Sequence, residues 1–334
     1  MTTIPSAPAE PTRATTIAPL TDAVTRDLTR GSTTPSRRAG RYPLALDGSI
    51  FGWVAGAEQT GEVLDGFARA GGSIVSTADH YAGGRSEIMI GHWIDTVADR
   101  SSIVVATKVG KHPDYPVTDA PSLLAAVDAS LVRLRTDRID VLSFDGDLPG
   151  ITVDDLVDAA HVLASKGRVG RFSSSSLSDA RFDRIDGALR AAGLAGFEAV
   201  FSEYSLVRRE PFESHLAPLV RERALDSFAR LPLAGGFLTG AYRSRTDLPD
   251  SPMFVGALDH VGRKGKRVLS EVESIADELG TTAGAVALAW VVGAADMTFA
   301  VVRAKDLAQL DGHVSALAVD LTRHHRRRLD RASA

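Results

Sequence analysis

Cysteine is absent from the 334-residue sequence. Its absence excludes disulfide bonds, thiolate nucleophiles, iron–sulfur clusters and zinc sites built on cysteine. The nine histidines and the acidic residues show no HExxH motif or comparable ligand spacing, so the sequence predicts no metal site. Catalysis by this chain would therefore depend on oxygen and nitrogen groups.

Long apolar runs and a strong charge of one sign are absent as well. The most apolar stretch, residues 283–294, is shorter than the ~20 residues that cross a bilayer, so no membrane segment is predicted. The N-terminus shows no apolar secretory leader, which makes a cytoplasmic location the expectation. The formal net charge is −4, and the basic run at residues 323–328 is interpreted as the exposed face of a last helix. No nucleic-acid partner is therefore expected.

Lysine is scarce, since the chain has only six beside abundant arginine and alanine, a bias typical of GC-rich bacterial genomes. The hydrophobic fraction of 44% and the charged fraction of 24% are typical of a globular protein. The first 40 residues differ, because they contain ten threonines and five prolines without apolar periodicity. The sequence therefore predicts a flexible N-terminal arm, residues 1–40, and one globular domain, residues 41–334.

From residue 41 onward, short β-branched runs alternate with longer amphipathic stretches, which is typical of βα units around a parallel sheet. The predicted strands are residues 49–53, 73–77, 103–108, 139–144, 170–175, 199–202, 226–230 and 299–303. The predicted helices between them include residues 60–70, 86–94, 121–134, 154–165, 179–191 and 265–279. An open dinucleotide-binding sheet would need a glycine-rich turn after its first strand, and none is present. The pattern therefore favours a single closed (β/α)8 TIM barrel.

Active sites of such barrels lie where the strands end, because the loops that follow the strands meet at one mouth. The residues at these ends are Trp53, Ser76 to Tyr81, Lys108, Asp145, Ser175, Ser176, Phe201, Arg230 and Arg303. They are the first candidates for chemistry.

Five segments of the domain carry a family resemblance. They are residues 77–81 (TADHY), 83–87 (GGRSE), 106–110 (ATKVG), 203–206 (EYSL) and 232–240 (PLAGGFLTG). In this order they resemble the aldo-keto reductase family, and the likeness extends from about residue 41 to the C-terminus. The resemblance implies a (β/α)8 barrel that binds NADPH across its mouth and uses a tetrad of Asp, Tyr, Lys and His.

The resemblance carries two tetrad members to this chain. Tyr81 and Lys108 match the proton donor and the lysine that lowers its pKa. The Asp that partners the lysine is replaced by Ser76, and the His that orients the carbonyl is replaced by Asp145. One carboxylate is thus lost from the mouth while another is gained.

The resemblance also implies changes around the nicotinamide. The Ser-Asn pair that holds the carboxamide is Ser175-Ser176, and the Gln of the sixth strand is Phe201, which offers no hydrogen bond. Arg230 replaces the stacking aromatic residue, and Arg303 replaces a glycine of the phosphate-binding stretch. The residues left to bind NADPH, if it binds, are Leu233, Gly235 and Lys305.

Each departure allows a functional and a structural interpretation. Asp145 either pairs with Lys108 or acts as a general base, unless it is a solvated loop acid. Arg230 and Arg303 either hold a phosphate or carboxylate of a substrate or form salt bridges with Asp226 or Glu203.

Other polar and aromatic candidates are less specific. His112, and to a lesser degree His80, either shuttles protons or lies at the surface. Trp53 and Phe201 form either a substrate wall or ordinary packing, and the serines 173–176 suit a polar ligand or a polar rim.

These changes favour an enzyme that acts on a small carbonyl or hydroxyl compound by acid–base chemistry without a cofactor. Dehydration, isomerisation and cyclisation are the reactions considered, with Tyr81, Lys108 and Asp145 as catalytic residues. The alternative is an NADPH-dependent carbonyl reductase with an unusual tetrad, and the further alternative is an inactive barrel that binds or regulates a partner. The expected ligand is a small molecule in each enzymatic case, and the sequence does not predict the oligomeric state.

Overall fold

A closed barrel of eight parallel strands forms the centre of the molecule. The computed structural model describes residues 41–247 and 252–334, so the predicted arm at residues 1–40 lies outside the described residues. The strands are β1 (Leu44–Asp47), β2 (Ile74–Ala78), β3 (Val104–Val109), β4 (Ile139–Asp145), β5 (Val169–Ser175), β6 (Phe197–Glu203), β7 (Asp226–Arg230) and β8 (Phe299–Val302). Each strand pairs with the next along the chain, and β8 pairs with β1. The predicted (β/α)8 TIM barrel is confirmed.

Helices cover the outside of the barrel. Within the described ranges they are α1 (Ala57–Arg69), α2 (Arg85–Ile94), α3 (Ala120–Leu134), α4 (Val153–Ser165), α5 (Asp179–Ala191), α6 (Ala217–Arg223), α7 (Arg263–Leu279), α8 (Ala283–Val292), α9 (Leu307–Ser315) and α10 (Arg323–Ser333). Side-chain caps fix several of their starts, as where Asp119 accepts from the Ser122 N–H and Thr152 from the Asp155 N–H. The six helices named in the sequence analysis coincide with α1–α5 and α7.

The apolar stretch at residues 283–294 forms α8, which is buried from Ala285 to Val291. Among the described residues, no single helix has the length and apolar character needed to cross a membrane. Only α7 and α8 taken together meet that test, and the two are bent by 99° relative to each other.

The basic run near the C-terminus lies on α10, so the predicted last helix is confirmed. Arg328 of this helix pairs with Glu271 at 2.5 Å and with Glu278 at 2.7 Å, both on α7. Part of the positive charge of the run is thus used in packing α10 against α7.

Alternation along each strand divides the side chains between two cores. Residues facing the helices form the larger apolar core. The barrel interior contains Ala45, Ile74, Val104, Ala106, Val141, Ala199, Phe201, Phe228, Phe299 and Val301. Phe228 stacks between Phe201, at a centroid distance of 4.2 Å, and Phe299, at 4.8 Å. This stack fills the interior directly below the strand ends.

The first strand is the one that the sequence analysis placed wrongly. Residues 49–53 are not a strand, because Asp47 caps a 3₁₀ turn at Gly48–Ile50 and Gly52 has a φ of +75°. The observed β1, Leu44–Asp47, is a short run whose residues 44–46 are wholly buried. Ile50 and Phe51 are apolar because they are buried in the larger core. The correction brings Asp47 to the end of the first strand.

Candidate active site

The strand ends direct a set of charged side chains into one mouth. Lys108 has the same orientation as the interior residues Val104 and Ala106, since successive strand side chains alternate between faces. By the same alternation Asp47 follows Ala45, and Arg230 follows Phe228. The mouth of the barrel is therefore lined by groups from several strands.

Lys108 lies at the centre of this mouth and is only 3% exposed. Its Nζ donates to the Ser76 Oγ at 3.2 Å and to the carbonyl oxygen of Thr77 at 2.8 Å. The same nitrogen lies 5.0 Å from the centroid of the Tyr81 ring and 5.5 Å from that of Phe201. No carboxylate of the described residues lies within ion-pair distance of it, and Ser76 replaces such a partner with a neutral acceptor.

The environment of Lys108 shifts its titration towards neutral pH. Burial lowers the pKa of the ammonium to about 8, and the positive charge of Arg230 adds to this effect. The carboxylates of Asp47, Asp145 and Asp79 oppose it, with Asp47 the strongest of the three. Lys108 is thus mostly charged at pH 7 and close to its titration point.

Tyr81 follows β2 and is partly buried beside Lys108. Burial raises the pKa of its phenol above the ordinary value, and Asp47 raises it further, whereas Arg230 and Arg303 act against the rise. His80 packs edge-on against the Tyr81 ring at 4.9 Å. The phenol therefore stays protonated at neutral pH, which suits a proton donor.

Asp47 is a site residue that the sequence analysis missed. It is the register partner of Ser76 on the neighbouring strand, so a carboxylate adjoins the position from which one is lost. Its two oxygens accept from the backbone N–H of Ser49 at 3.0 Å and from the Ser49 Oγ at 2.9 Å, which holds the carboxylate at the mouth. An acidic residue at the end of a correctly assigned first strand was the available signal.

Asp145 has a different partner from the one expected. Its Oδ2 pairs with the Lys111 Nζ at 3.1 Å rather than with Lys108, and its Oδ1 accepts from the Ser175 Oγ at 3.3 Å. Asp145 is 5% exposed, so the interpretation as a solvated loop acid is wrong. The role of this residue as a general base stays a prediction.

Asp79 lies within the stretch Ser76 to Tyr81 that the sequence singles out, but the sequence analysis assigned no role to it. It is wholly buried, and its Oδ2 accepts from the backbone N–H groups of Gly110 at 2.7 Å and Lys111 at 3.2 Å. Burial acts to raise its pKa, but hydrogen bonds from His80 and from these N–H groups lower it overall. Asp79 ties the loop after β2 to the loop after β3, and so positions both Tyr81 and Lys108.

The remaining predicted residues occupy different depths. Phe201 is 2% exposed within the interior stack and forms a floor below Lys108 rather than a wall. Trp53 is 58% exposed at the rim, next to Val54. His112 accepts from the Asp114 N–H through Nδ1 and packs on Tyr115, so its ring is used in loop structure. The surface interpretation of His112 is wrong, since it is only 7% exposed.

Two arginines lie at the ends of the last two strands. Arg230 donates through Nη1 to the Ser176 Oγ. The Arg303 backbone carbonyl is hydrogen-bonded to the His313 Nε2 at 2.8 Å, while its side chain borders a groove. Neither guanidinium forms an ion pair with a carboxylate of the described residues.

An open groove of about 510 Å³ leads away from Asp47 and Arg303. Leu233, Gly235 and Lys305, the residues that the resemblance assigns to NADPH, all line it. Such a volume is within the usual range of about 300–1,000 Å³ for small-molecule sites. Among the described residues there is no group of three or more His, Asp or Glu that could hold a metal ion.

Comparison with known proteins gives a consistent result. The model of the aldo/keto reductase family matches residues 51–334. A probable aryl-alcohol dehydrogenase of Saccharomyces cerevisiae is 27% identical over 79% of this chain and 84% of that protein. An NADP(+) aldo-keto reductase of Schizosaccharomyces pombe is 28% identical over 78% of each chain. A norsolorinic acid reductase of Emericella nidulans is 26% identical over 78% of this chain and 68% of that protein.

Proposed function

Because the chain belongs to the aldo/keto reductase family, we propose that it is an NADP(H)-dependent oxidoreductase that interconverts a small carbonyl compound and its alcohol. The names of its relatives, dehydrogenases and reductases among them, support redox chemistry over the acid–base chemistry first expected. The observation that carries the proposal is the groove, which joins the mouth at Asp47 and Arg303 to Lys305.

The groove has the chemistry that a dinucleotide phosphate requires. Lys305 supplies positive charge, and Gln309 and the turn at Leu233 and Gly235 supply polar and backbone groups. When bound, NADPH would supply a hydride to the carbonyl carbon. The protein's part in the reaction is to bind, to orient and to provide the proton.

Tyr81 provides that proton in the proposed mechanism. Its phenol is protonated at neutral pH, so in the reduction it donates to the carbonyl oxygen. The nearby Lys108 ammonium stabilises the negative charge that then develops on the Tyr81 oxygen. Asp47 and Asp145 favour the charged form of Lys108, in place of the single aspartate of the resembled tetrad.

The proposal is tested by titrating the protein with NADPH and NADP⁺ in a calorimeter and by following its melting temperature. Cofactor at 100 times its Kd should stabilise the fold by about 2.7 kcal/mol. A Lys305→Met variant should bind more weakly, because one cation of the groove is removed. Absence of binding at millimolar cofactor would overturn the proposal.

Acid–base chemistry without a cofactor is the second candidate, and one observation favours it. The Ser176 Oγ is already bonded to Arg230, and the packed Phe201 ring offers no hydrogen bond, so few neutral polar groups beside Tyr81 remain to hold a nicotinamide. Such an enzyme would exchange substrate hydrogens with deuterated solvent in the absence of NADPH. The same purified protein therefore distinguishes the two candidates.

We expect Asp47→Asn to lower the pKa of Lys108 below its value of about 8, because burial already lowers it and the Asp47 carboxylate is the strongest opposing charge. Selective ¹³C labelling of lysine gives only six side chains to resolve, so the Lys108 signal can be followed through a pH titration. The same variant should move the alkaline fall in kcat/KM to lower pH, since Lys108 must be charged to assist Tyr81.

The matched control is Asp128→Asn, which makes the same charge change on α3, where Asp128 pairs with Arg168. This control should leave the Lys108 midpoint in place. An Asp47→Asn titration that superimposes on the wild-type curve would remove Asp47 from the site.

A further inference from the structure

The mouth holds positive charge that the described residues do not neutralise. Asp145 is already paired with Lys111. Among the described residues neither Arg230 nor Arg303 has a carboxylate partner, and Arg230 lies close enough to Lys108 to lower the pKa of its ammonium. The Asp47 carboxylate also lies at the mouth, but it is hydrogen-bonded to Ser49 and, among the described residues, pairs with neither guanidinium. Guanidinium groups without a carboxylate partner are typical of sites that bind an anion.

The alternative interpretation, in which Arg230 and Arg303 form salt bridges with Asp226 or Glu203, is wrong. Asp226 is bonded at the opposite end of the barrel by Arg41 at 2.9 Å and by Arg171 at 3.0 Å. Glu203 pairs with Arg208 at 2.8 Å. Both carboxylates that would have neutralised Arg230 or Arg303 are thus occupied by other arginines.

Both guanidiniums lie near the reacting group. Burial raises the pKa of the Tyr81 phenol, and Arg230 and Arg303 are close enough to oppose that rise. Arg230 is held by the neutral Ser176 Oγ through Nη1, and no other side-chain bond joins it to the part of the chain that the structure describes, so its other N–H groups can bind a ligand. Arg303 lines the groove on one side and a smaller cavity of about 150 Å³ on the other.

We propose that Arg230 and Arg303 bind a carboxylate or phosphate group on the substrate itself, so that the enzyme prefers anionic carbonyl compounds. This inference rests on the proposed function for the carbonyl chemistry. A guanidinium presents paired N–H donors that match the two oxygens of such a group. The anion would fix the substrate at the mouth while its carbonyl faces Tyr81.

The first arm of the test measures anion binding without turnover. Inorganic phosphate and succinate are titrated at constant ionic strength, with the melting temperature as readout. We expect both to stabilise the wild type and to lose that effect in Arg230→Gln and Arg303→Gln. The matched control is Arg221→Gln, because Arg221 pairs with Asp296 just before β8, at the opposite end of the barrel.

The second arm compares 4-carboxybenzaldehyde with benzaldehyde as substrates for reduction with NADPH. We expect the wild type to prefer the carboxylate by about tenfold or more in kcat/KM, as a charge-assisted hydrogen bond implies. Arg230→Gln should bring the ratio of the two kcat/KM values close to one. This ratio is the readout, because Arg230 also acts on the pKa values of Tyr81 and Lys108 and so affects the turnover of both substrates.

The outcomes separate this inference from the proposed function. Unchanged preference and unchanged phosphate binding in both variants would overturn the inference, even if benzaldehyde is reduced. Weaker NADPH binding in Arg303→Gln with an unchanged preference would also overturn it, since the anion would then be the cofactor's phosphate. Phosphate binding that depends on Arg230 in a protein that binds no NADPH would support the anion site and overturn the oxidoreductase proposal instead.

Discussion

Tyr81→Phe should lower kcat for carbonyl reduction by about 10²–10⁴-fold, the usual contribution of a positioned proton donor. The substitution removes only the hydroxyl group and keeps the ring that packs on His80 and faces the Lys108 Nζ. Consumption of NADPH at saturating substrate measures the loss. NADPH affinity and melting temperature should remain close to those of the wild type.

Tyr115→Phe is the matched control for this prediction. Tyr115 packs on His112 and lies 5.8 Å from the Arg133 guanidinium, so the variant removes a phenol of the same barrel face outside the proposed mechanism. Its kcat should stay within about threefold of the wild type. A Tyr81→Phe enzyme as active as this control would show that the proton comes from another group.

Lys108→Met should have opposite effects on activity and on stability. Loss of the ammonium removes the charge that assists Tyr81, and removal of one such preorganised group typically costs about 10²–10³-fold in kcat. The fold should not suffer in the same measure. Burial lowers the pKa of Lys108 from 10.5 to about 8, so its charged form costs the folded state about 3 kcal/mol of stability. This cost offsets the stabilisation from its hydrogen bonds to Ser76 and Thr77.

The pH dependence of unfolding checks the sign of this effect. Below pH 8 Lys108 is charged in the folded and the unfolded protein, so the folded state bears the full cost. Between pH 8 and 10.5 the folded protein releases the proton first, so the unfolded state binds more protons and this contribution to stability rises with pH. From pH 7 to 9.5 the contribution of Lys108 should raise the free energy of unfolding of the wild type by about 2 kcal/mol, and Lys108→Met should lack this rise.

Urea unfolding at pH 7 and at pH 9.5 measures the free energy of unfolding of the wild type and of Lys108→Met. The introduced methionine side chain fills the space of the lysine stem, so we expect the variant to equal or exceed the wild type in stability at pH 7. A fall of more than about 2 kcal/mol at pH 7 would show that the bonds of Lys108 outweigh its desolvation and that its main role is structural.

The orientation of side chains within regular strands was predictable from the sequence, because successive residues of a strand point alternately to the barrel interior and to the helices. The β-branched run of β3 carries Lys108 inward behind Val104 and Ala106, and that of β8 carries Arg303 behind Phe299 and Val301. The motifs that resemble a known family then identify which inward groups adjoin the chemistry.

Contacts between distant segments were not predictable in this way. Asp47 was missed because β1 contains no β-branched or aromatic residue, whereas residues 49–53 contain Ile50, Phe51 and Trp53, so strand propensity favoured the wrong segment. Asp145 pairs with Lys111 rather than with Lys108 because of where two loops meet. The Arg230–Ser176 hydrogen bond joins residues that are 54 positions apart in the sequence. Packing and burial in the folded protein determine which of these side chains pair. The periodicity of the sequence carries no information about such contacts.

The exposure of Trp53 has an optical consequence. The chain has three tryptophans, and Trp93 and Trp290 are 6% and 4% exposed, whereas Trp53 is 58% exposed beside the groove residue Val54. Indole emission in water is shifted to the red of emission from a buried ring, so the rim of the mouth has its own spectral component. Ligands that enter the groove should quench or shift this component first and leave the two buried fluorophores as an internal reference.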